Sequence, residues 1–251
     1  MSVLTRFEQL YDESRRNRWF RGFAVFCRIA LALGFVPAGI VKVMGERFTA
    51  LPSNHPLGHY FDALFLTGSY YKFIGLGQLT LALLLLVPRT ALLGAILYFP
   101  VILNICVLAY AVRFEGTRGT TLMLLANVFL LVWDYDRLKH VLPFARADDD
   151  DRRVLATTSR FPAWFFGFVF AAIVSVIVIN QFLYDIRPGN SQEECTNGCK
   201  DNGSPDACQN FCSCIYDAGH PLNVCLDEYQ RAKRSTPMSQ KTPSAGTGAA
   251  P

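Results

Sequence analysis

Residues 71–112 read YKFIGLGQLTLALLLLVPRTALLGAILYFPVILNICVLAYAV. Two apolar blocks, 71–87 and 90–112, flank Pro88-Arg89. A proline ends one helix and preorganises the first turn of the next, so the stretch predicts a tight antiparallel helical hairpin. Neither block has the polar stripe that a surface helix of a soluble protein keeps. Apolar runs of roughly 18 or more residues match the ~30 Å hydrocarbon core of a bilayer. The hairpin therefore predicts a membrane protein.

Three further blocks extend the pattern, at 23–44, 119–133 and 161–184, giving five predicted spans. The blocks at 71–87 and 119–133 are short, so crossing requires tilt, flanking aromatics or local bilayer thinning. The net charge of +4 matters less than where the charges sit. Arg6, Arg15, Arg16, Arg18 and Arg21 precede the first span. Arg89 lies in the hairpin turn, and Arg137, Lys139, Arg146, Arg152, Arg153 and Arg160 separate the fourth span from the fifth. The alternate connections are poorer in cations, holding Lys42, Arg47 and Lys72 on one and Arg113 and Arg118 on the other. The positive-inside rule then predicts a cytoplasmic N-terminus and an extracytoplasmic C-terminus, in a bacterial inner membrane. With its basic residues so placed, the chain is expected to face a lipid bilayer and to bind no nucleic acid. Arg15-Arg16 ahead of an apolar stretch is faintly similar to a twin-arginine export signal. However, Arg28 and Lys42 bracket that stretch and no small-residue cleavage site follows it.

The expected fold is all-α: a four-helix transmembrane bundle (22–142), a fifth transmembrane helix (161–184) and a small disulfide-stapled helical extracytoplasmic module (190–234). A cytoplasmic amphipathic segment (1–21) precedes the bundle, because Leu4, Phe7, Leu10 and Tyr11 recur at helical spacing among charges. Residues 143–160 read as a solvated cytoplasmic linker with an Asp148 to Asp151 run. Residues 235–251, rich in Thr, Pro, Ser, Gly and Ala, read as a disordered tail. The aromatic, proline-containing connection 45–70, with His55 and His59, is placed as a cap over the outer mouth of the bundle.

Six of the eight cysteines fall between Cys195 and Cys225, as Cys195-x3-Cys199, Cys208-x3-Cys212-x-Cys214 and Cys225. Cysteines four apart share one helix face. Two such turns set antiparallel across the Asn202-Gly203-Ser204-Pro205 turn would pair Cys195 with Cys212 and Cys199 with Cys208, leaving Cys214 for Cys225. Six cysteines allow fifteen full pairings, so spacing alone does not select one. Ser204 or Asp206 is the expected cap of the second of these helices. A module this small, with few large apolar residues, needs staples, and the charge argument places it where disulfides persist. Two other chemistries stay open: soft-metal binding by Cys212-Ser213-Cys214 with His220 nearby, and an exchanging redox pair. No metal is assigned, and Cys27 and Cys106 are expected as free buried thiols.

Polar groups inside spans are costly and by default face a bundle interior. The expected ligand pocket therefore takes Lys42, Gln78, Tyr98, Asn104 and Asn127. Arg28 and Asp134 are expected as an ion pair at the inner end, and Lys42 with Glu46 as a second pair one turn apart at the outer end. The competing reading is structural: amides commonly only join membrane helices, and Gly34, Gly39, Gly75 and Gly77 permit close approach.

The stretch RIALALGFVPAGIVK (28–42) resembles the first-span signature of DoxX-type membrane proteins. FIGLGQ (73–78) with the following leucines and Pro88-Arg89 is similar to that family's second span and turn, and Trp133-Asp134-Tyr135 to its closing segment. The resemblance covers roughly residues 22–142. It implies a four-helix membrane bundle in a family named from a subunit of a thiosulfate:quinone oxidoreductase, with relatives linked to redox and sulfur stress. The fifth span and the cysteine module depart from that pattern.

No haem, flavin, iron–sulfur, hydrolase or phosphate-loop motif is present in the sequence. No catalytic residue is assigned. The leading expectation is an accessory or anchoring subunit whose cysteine module engages an extracytoplasmic protein partner. The alternatives are a quinone-linked redox subunit, with a quinone near Lys42, Gln78 and Asn104, and a small-solute transporter.

Overall fold

The computed structural model describes residues 11–141 except 12 and 115, then 159–189, 191–200 and 202–235. Residues 1–10 of the predicted amphipathic segment, most of the 143–160 linker and the tail beyond 235 lie outside the described residues. Helix α1 (Arg18–Met44) begins where the Asn17 side chain accepts the Trp19 N–H at 3.0 Å, a side-chain cap of an otherwise orphan donor. It ends where Gly45 takes φ 76°, a left-handed turn that glycine adopts without a Cβ penalty. A short helix α2 (Pro56–Leu66) follows inside the expected cap. Helices α3 (Ser69–Leu86) and α4 (Ala91–Ala111) then form the predicted hairpin.

The hairpin turn is held locally: Thr90 N–H donates to Val87 O, and the Thr90 hydroxyl donates to Leu84 O at 3.0 Å. Gly94 lets α4 lie directly on α3, since a Cβ there would sit 2.9 Å from Leu85 N. Helix α5 (Thr117–Trp133), the short α6 (Tyr135–Val141), the long α7 (Ala163–Leu183) and three small helices, α8 (Gln192–Gly198), α9 (Pro205–Tyr216) and α10 (Leu222–Ser235), complete the chain.

Helices α1, α3, α4 and α5 pack in a closed ring, α1 against α3, α3 against α4, α4 against α5, and α5 back on α1, while α7 lies against α5. The core inside the ring is Leu31, Phe35, Leu85, Tyr98, Ile102 and Leu130 with small residues between them. The outer surface is as apolar as the core: Leu33, Phe73, Leu83, Val107, Phe170 and Phe182 are all exposed. An apolar belt of this extent is untenable in water. Helices α1, α3, α4 and α7 are each long and apolar enough to cross a membrane. Helix α5 has 17 residues, about 25 Å of rise, the shortest of the five. The protein is thus an all-helical membrane protein with a four-helix bundle, a fifth helix and a disulfide-bonded cysteine-rich region.

An ion cluster closes the end of the ring opposite the cysteine region. Arg28 and Arg15 reach the two Asp134 carboxylate oxygens at 3.2 and 3.5 Å, and the Tyr11 hydroxyl donates to Trp133 O. Asp134 is 5% exposed, so Asp134→Ala leaves two guanidiniums without their counter-charge. We expect it to lower stability by about 2 kcal/mol, less than a fully buried pair because both arginines keep solvent contact. Thermal unfolding in detergent, with Asp134→Asn beside it, measures this.

Candidate functional site

At the other end of the ring, the chain leaving α7 turns into the cysteine module. Three disulfides join Cys195 to Cys212, Cys199 to Cys208 and Cys214 to Cys225. Each Cα–Cα separation, from 5.5 to 5.8 Å, fits a disulfide. The first two staple α8 to α9 and the third ties α9 to α10. The six sulfurs, Phe211, Ile215 and Tyr229 form the module's own small core. Cys199 and Cys212 belong to different bridges, yet their sulfurs lie 3.7 Å apart. Ser204 is the N-cap of α9, but its side chain makes no capping hydrogen bond. Cys27 and Cys106 are free and buried in α1 and α4.

The module is fastened at two places. The Asn54 amide, just before α2, donates to Ile215 O and to His220 O at 2.6 and 2.9 Å. Beneath the module, Asp185 accepts from the Tyr229 hydroxyl at 3.1 Å and from Lys233, and the Tyr216 hydroxyl donates to Pro188 O at 3.0 Å. Burial, and then the nearby Glu194 charge, push the Tyr216 phenol up to about 12, so it remains a donor. The cap is itself ordered by charge: Arg47 pairs with Asp62 at 2.7 Å and also donates to Leu51 O. His55, 1% exposed, caps α2 by accepting the Leu57 N–H at Nδ1, and burial pushes its pKa down to about 4. Its Nε2 has no partner among the described residues.

The predicted polar residues separate into three groups. Arg28 and Asp134 meet, as described above. Lys42, Gln78, Tyr98 and Asn127 are buried in the ring. The Tyr98 hydroxyl donates to Leu31 O at 3.2 Å while its ring stacks on Phe35 at 4.0 Å, and the Asn127 amide donates to Ala95 O at 3.2 Å. These are bonds from side chain to neighbouring helix backbone. They join helices; among the described residues the Gln78 Oε1 and Asn127 Oδ1 atoms have no partner.

Two expectations are corrected. Asn104 does not join this interior: it is exposed on the outer surface of α4. The buried stripe of α4 runs through Ala91, Ala95, Tyr98, Ile102, Cys106 and Ala109. Two residues past Ile102 is about 200° around the helix, which turns Asn104 away from the ring. Nor does Lys42 pair with Glu46. The helix stops at Met44 and the left-handed Gly45 redirects the chain, so the i, i+4 geometry is lost. Lys42 instead donates to Ala38 O at 3.1 Å and stands 4.0 Å from the Phe48 ring centroid.

A cavity of about 490 Å³ opens between the module, the end of α7 and the start of α5. Arg118, Gln181, Tyr184, Arg187 and Glu194 are among its walls. None of these had been singled out as a site residue. Gln181 and Tyr184 fall at the end of the predicted fifth span and Arg118 just before the fourth, which signals a boundary position and nothing more.

No protein-family profile matches the chain, and no solved structure matches it. Among curated proteins, an uncharacterized protein of Bacillus subtilis (strain 168), YwoB, is 33% identical over 134 residues, which is 51% of this chain and 86% of that relative. About half of this chain therefore has no counterpart there. Over the shared part the identity extends across nearly the whole relative, and the chain belongs to the same protein family as YwoB.

Proposed function

We propose that this protein is an accessory membrane subunit. Its helical bundle anchors a disulfide-stapled module on the extracytoplasmic side, where the module engages a protein partner. The observation that carries this reading is the double fastening of the module, through Asn54 on one side and Asp185 on the other. A module tied to its membrane anchor at two points presents a fixed surface, as a docking platform requires. Disulfides persist in an oxidising compartment, which agrees with the positive-inside reading of the loops and an inner-membrane location with the N-terminus inside. The match to a relative covering only half of this chain supports treating part of the chain as an addition to a shared core. The DoxX-type resemblance of residues 22–142 supports a redox or sulfur-stress context for that core.

In-cell cross-linking of the intact protein, compared with a form lacking residues 190–234, tests this. A discrete cross-linked partner should disappear with the module while the truncated protein stays in the membrane. An unchanged partner set would sink the proposal.

A second reading, a quinone-linked redox subunit, has one favourable observation: two amide oxygens, on Gln78 and Asn127, are buried in the ring with no donor among the described residues. A hydroquinone hydroxyl would supply one. A quinone retained by pure wild-type protein and lost from Gln78→Leu would favour it.

A further inference from the structure

Two guanidinium groups, those of Arg118 and Arg187, line the cavity beneath the module. Arg118 is the second residue of α5. Its Nη2 donates to Gln181 Oε1 at 2.7 Å, its Nε is buried without an acceptor, and it pairs with no carboxylate among the described residues. Across the cavity Arg187 stands 5.6 Å from the Tyr184 ring centroid and donates to Asn180 O, and Arg113 lies 5.2 Å from the same ring. Both carboxylates in the walls are engaged, Asp185 by Lys233 and Tyr229 and Glu194 by a partner of its own. Among the described residues the walls hold two guanidiniums and two acids, with Arg113 beside Tyr184 and Lys233 on Asp185 as further cations outside the walls. Gly116, the N-cap of α5, brings no side-chain acceptor, so the partial positive charge of that helix end adds to the same field.

We infer that this cavity binds a phosphate-bearing ligand, with Arg118 as its principal contact and Arg187 as its second. A guanidinium presents a planar fork of donors that matches the oxygens of phosphate, and partial desolvation strengthens such bonds. The position argues for the same chemistry. The cavity lies where the apolar stretch of α7 ends, the place at which a membrane helix meets headgroups, and its volume also admits a free phosphate or small phosphate ester. This inference stands independently of the partner proposed above, since it requires only the bundle end and the module floor.

The test uses full-length, disulfide-intact protein stripped of lipid in detergent. Inorganic phosphate is titrated at constant ionic strength against chloride, and the thermal midpoint of the module is followed by near-ultraviolet circular dichroism. In parallel, the protein is placed in nanodiscs of phosphatidylglycerol or of phosphate-free digalactosyldiacylglycerol. A saturable rise with inorganic phosphate identifies a free oxoanion site. A rise confined to phosphatidylglycerol identifies a lipid headgroup.

In either arm, Arg118→Gln should weaken the effect by about tenfold, the loss of a charge-assisted contact, and Arg118→Lys by less. Arg231→Gln, on the exposed face of α10, should leave it unchanged. Should Arg118→Gln fail to fold, Arg187→Gln carries the same comparison. No stabilisation by either source, or equal stabilisation in the folded arginine variants, overturns the assignment.

Discussion

Gly75→Leu is expected to force α3 off α1 and lower the stability of the bundle by about 3 kcal/mol, at the upper end of overpacking effects. A Cβ at Gly75 would lie 2.8 Å from Gly39 O, 3.0 Å from Val43 N and 2.7 Å from Lys42 Cβ. Two of those neighbours are backbone of the facing helix, so no rotamer change relieves the clash. The bundle either separates or re-registers, and the α1–α3 contact is the most extensive among the described helices. Gly77→Leu supplies the control on the same helix. Gly77 is exposed, a Cβ there meets nothing within 4 Å, and leucine is the better helix former. Thermal unfolding in detergent should show a large drop for the first variant and none for the second. Equal behaviour of the two would mean that α1 and α3 do not approach at Gly39 and Gly75. The grouping of four glycines as approach points is accordingly refined, with Gly39 and Gly75 forming the contact and Gly77 facing outward.

Removing the Cys195–Cys212 bridge by a double alanine substitution should cost the module about 3 kcal/mol, the loop-closure value for a separation of 17 residues. A core of so few apolar residues has little reserve, so the module should become protease-sensitive near 37 °C while the bundle keeps its helicity. The wild-type state can be counted directly. Denatured without reduction, the protein should expose two reactive thiols, those of Cys27 and Cys106, and after reduction eight. Limited proteolysis of the variant, with far-ultraviolet circular dichroism of the same sample, separates loss of the module from loss of the bundle. A protease-resistant module in the variant would show that packing of Phe211, Ile215 and Tyr229, rather than the staple, holds it together.

Much of this architecture was written in the local order of residues. The hairpin turn at Pro88, the apolar blocks and the four-residue cysteine spacing each follow from covalent geometry or from the length of a helix needed to cross a bilayer. These constraints act within a few turns of chain and need no knowledge of neighbours. Arg28 and Asp134 were paired from depth alone, because two charges at one end of a bundle have few alternatives to each other.

What the sequence left open concerns direction around a helix. Helix α4 is apolar on every side, so nothing in its composition tells Asn104 from Tyr98, and only packing against α3 and α5 decides that Tyr98 turns inward and Asn104 outward. The Lys42–Glu46 pair failed for a related reason: a single left-handed glycine ended the helix between them. The fastening of the module through Asn54 and the arginine-lined cavity join residues up to 166 positions apart. Chemistry along the chain set the spans and the staples. Only the tertiary structure, through which helix faces touch, decided which polar groups meet, because hydrophobic burial in a membrane has no preferred side until another helix supplies one.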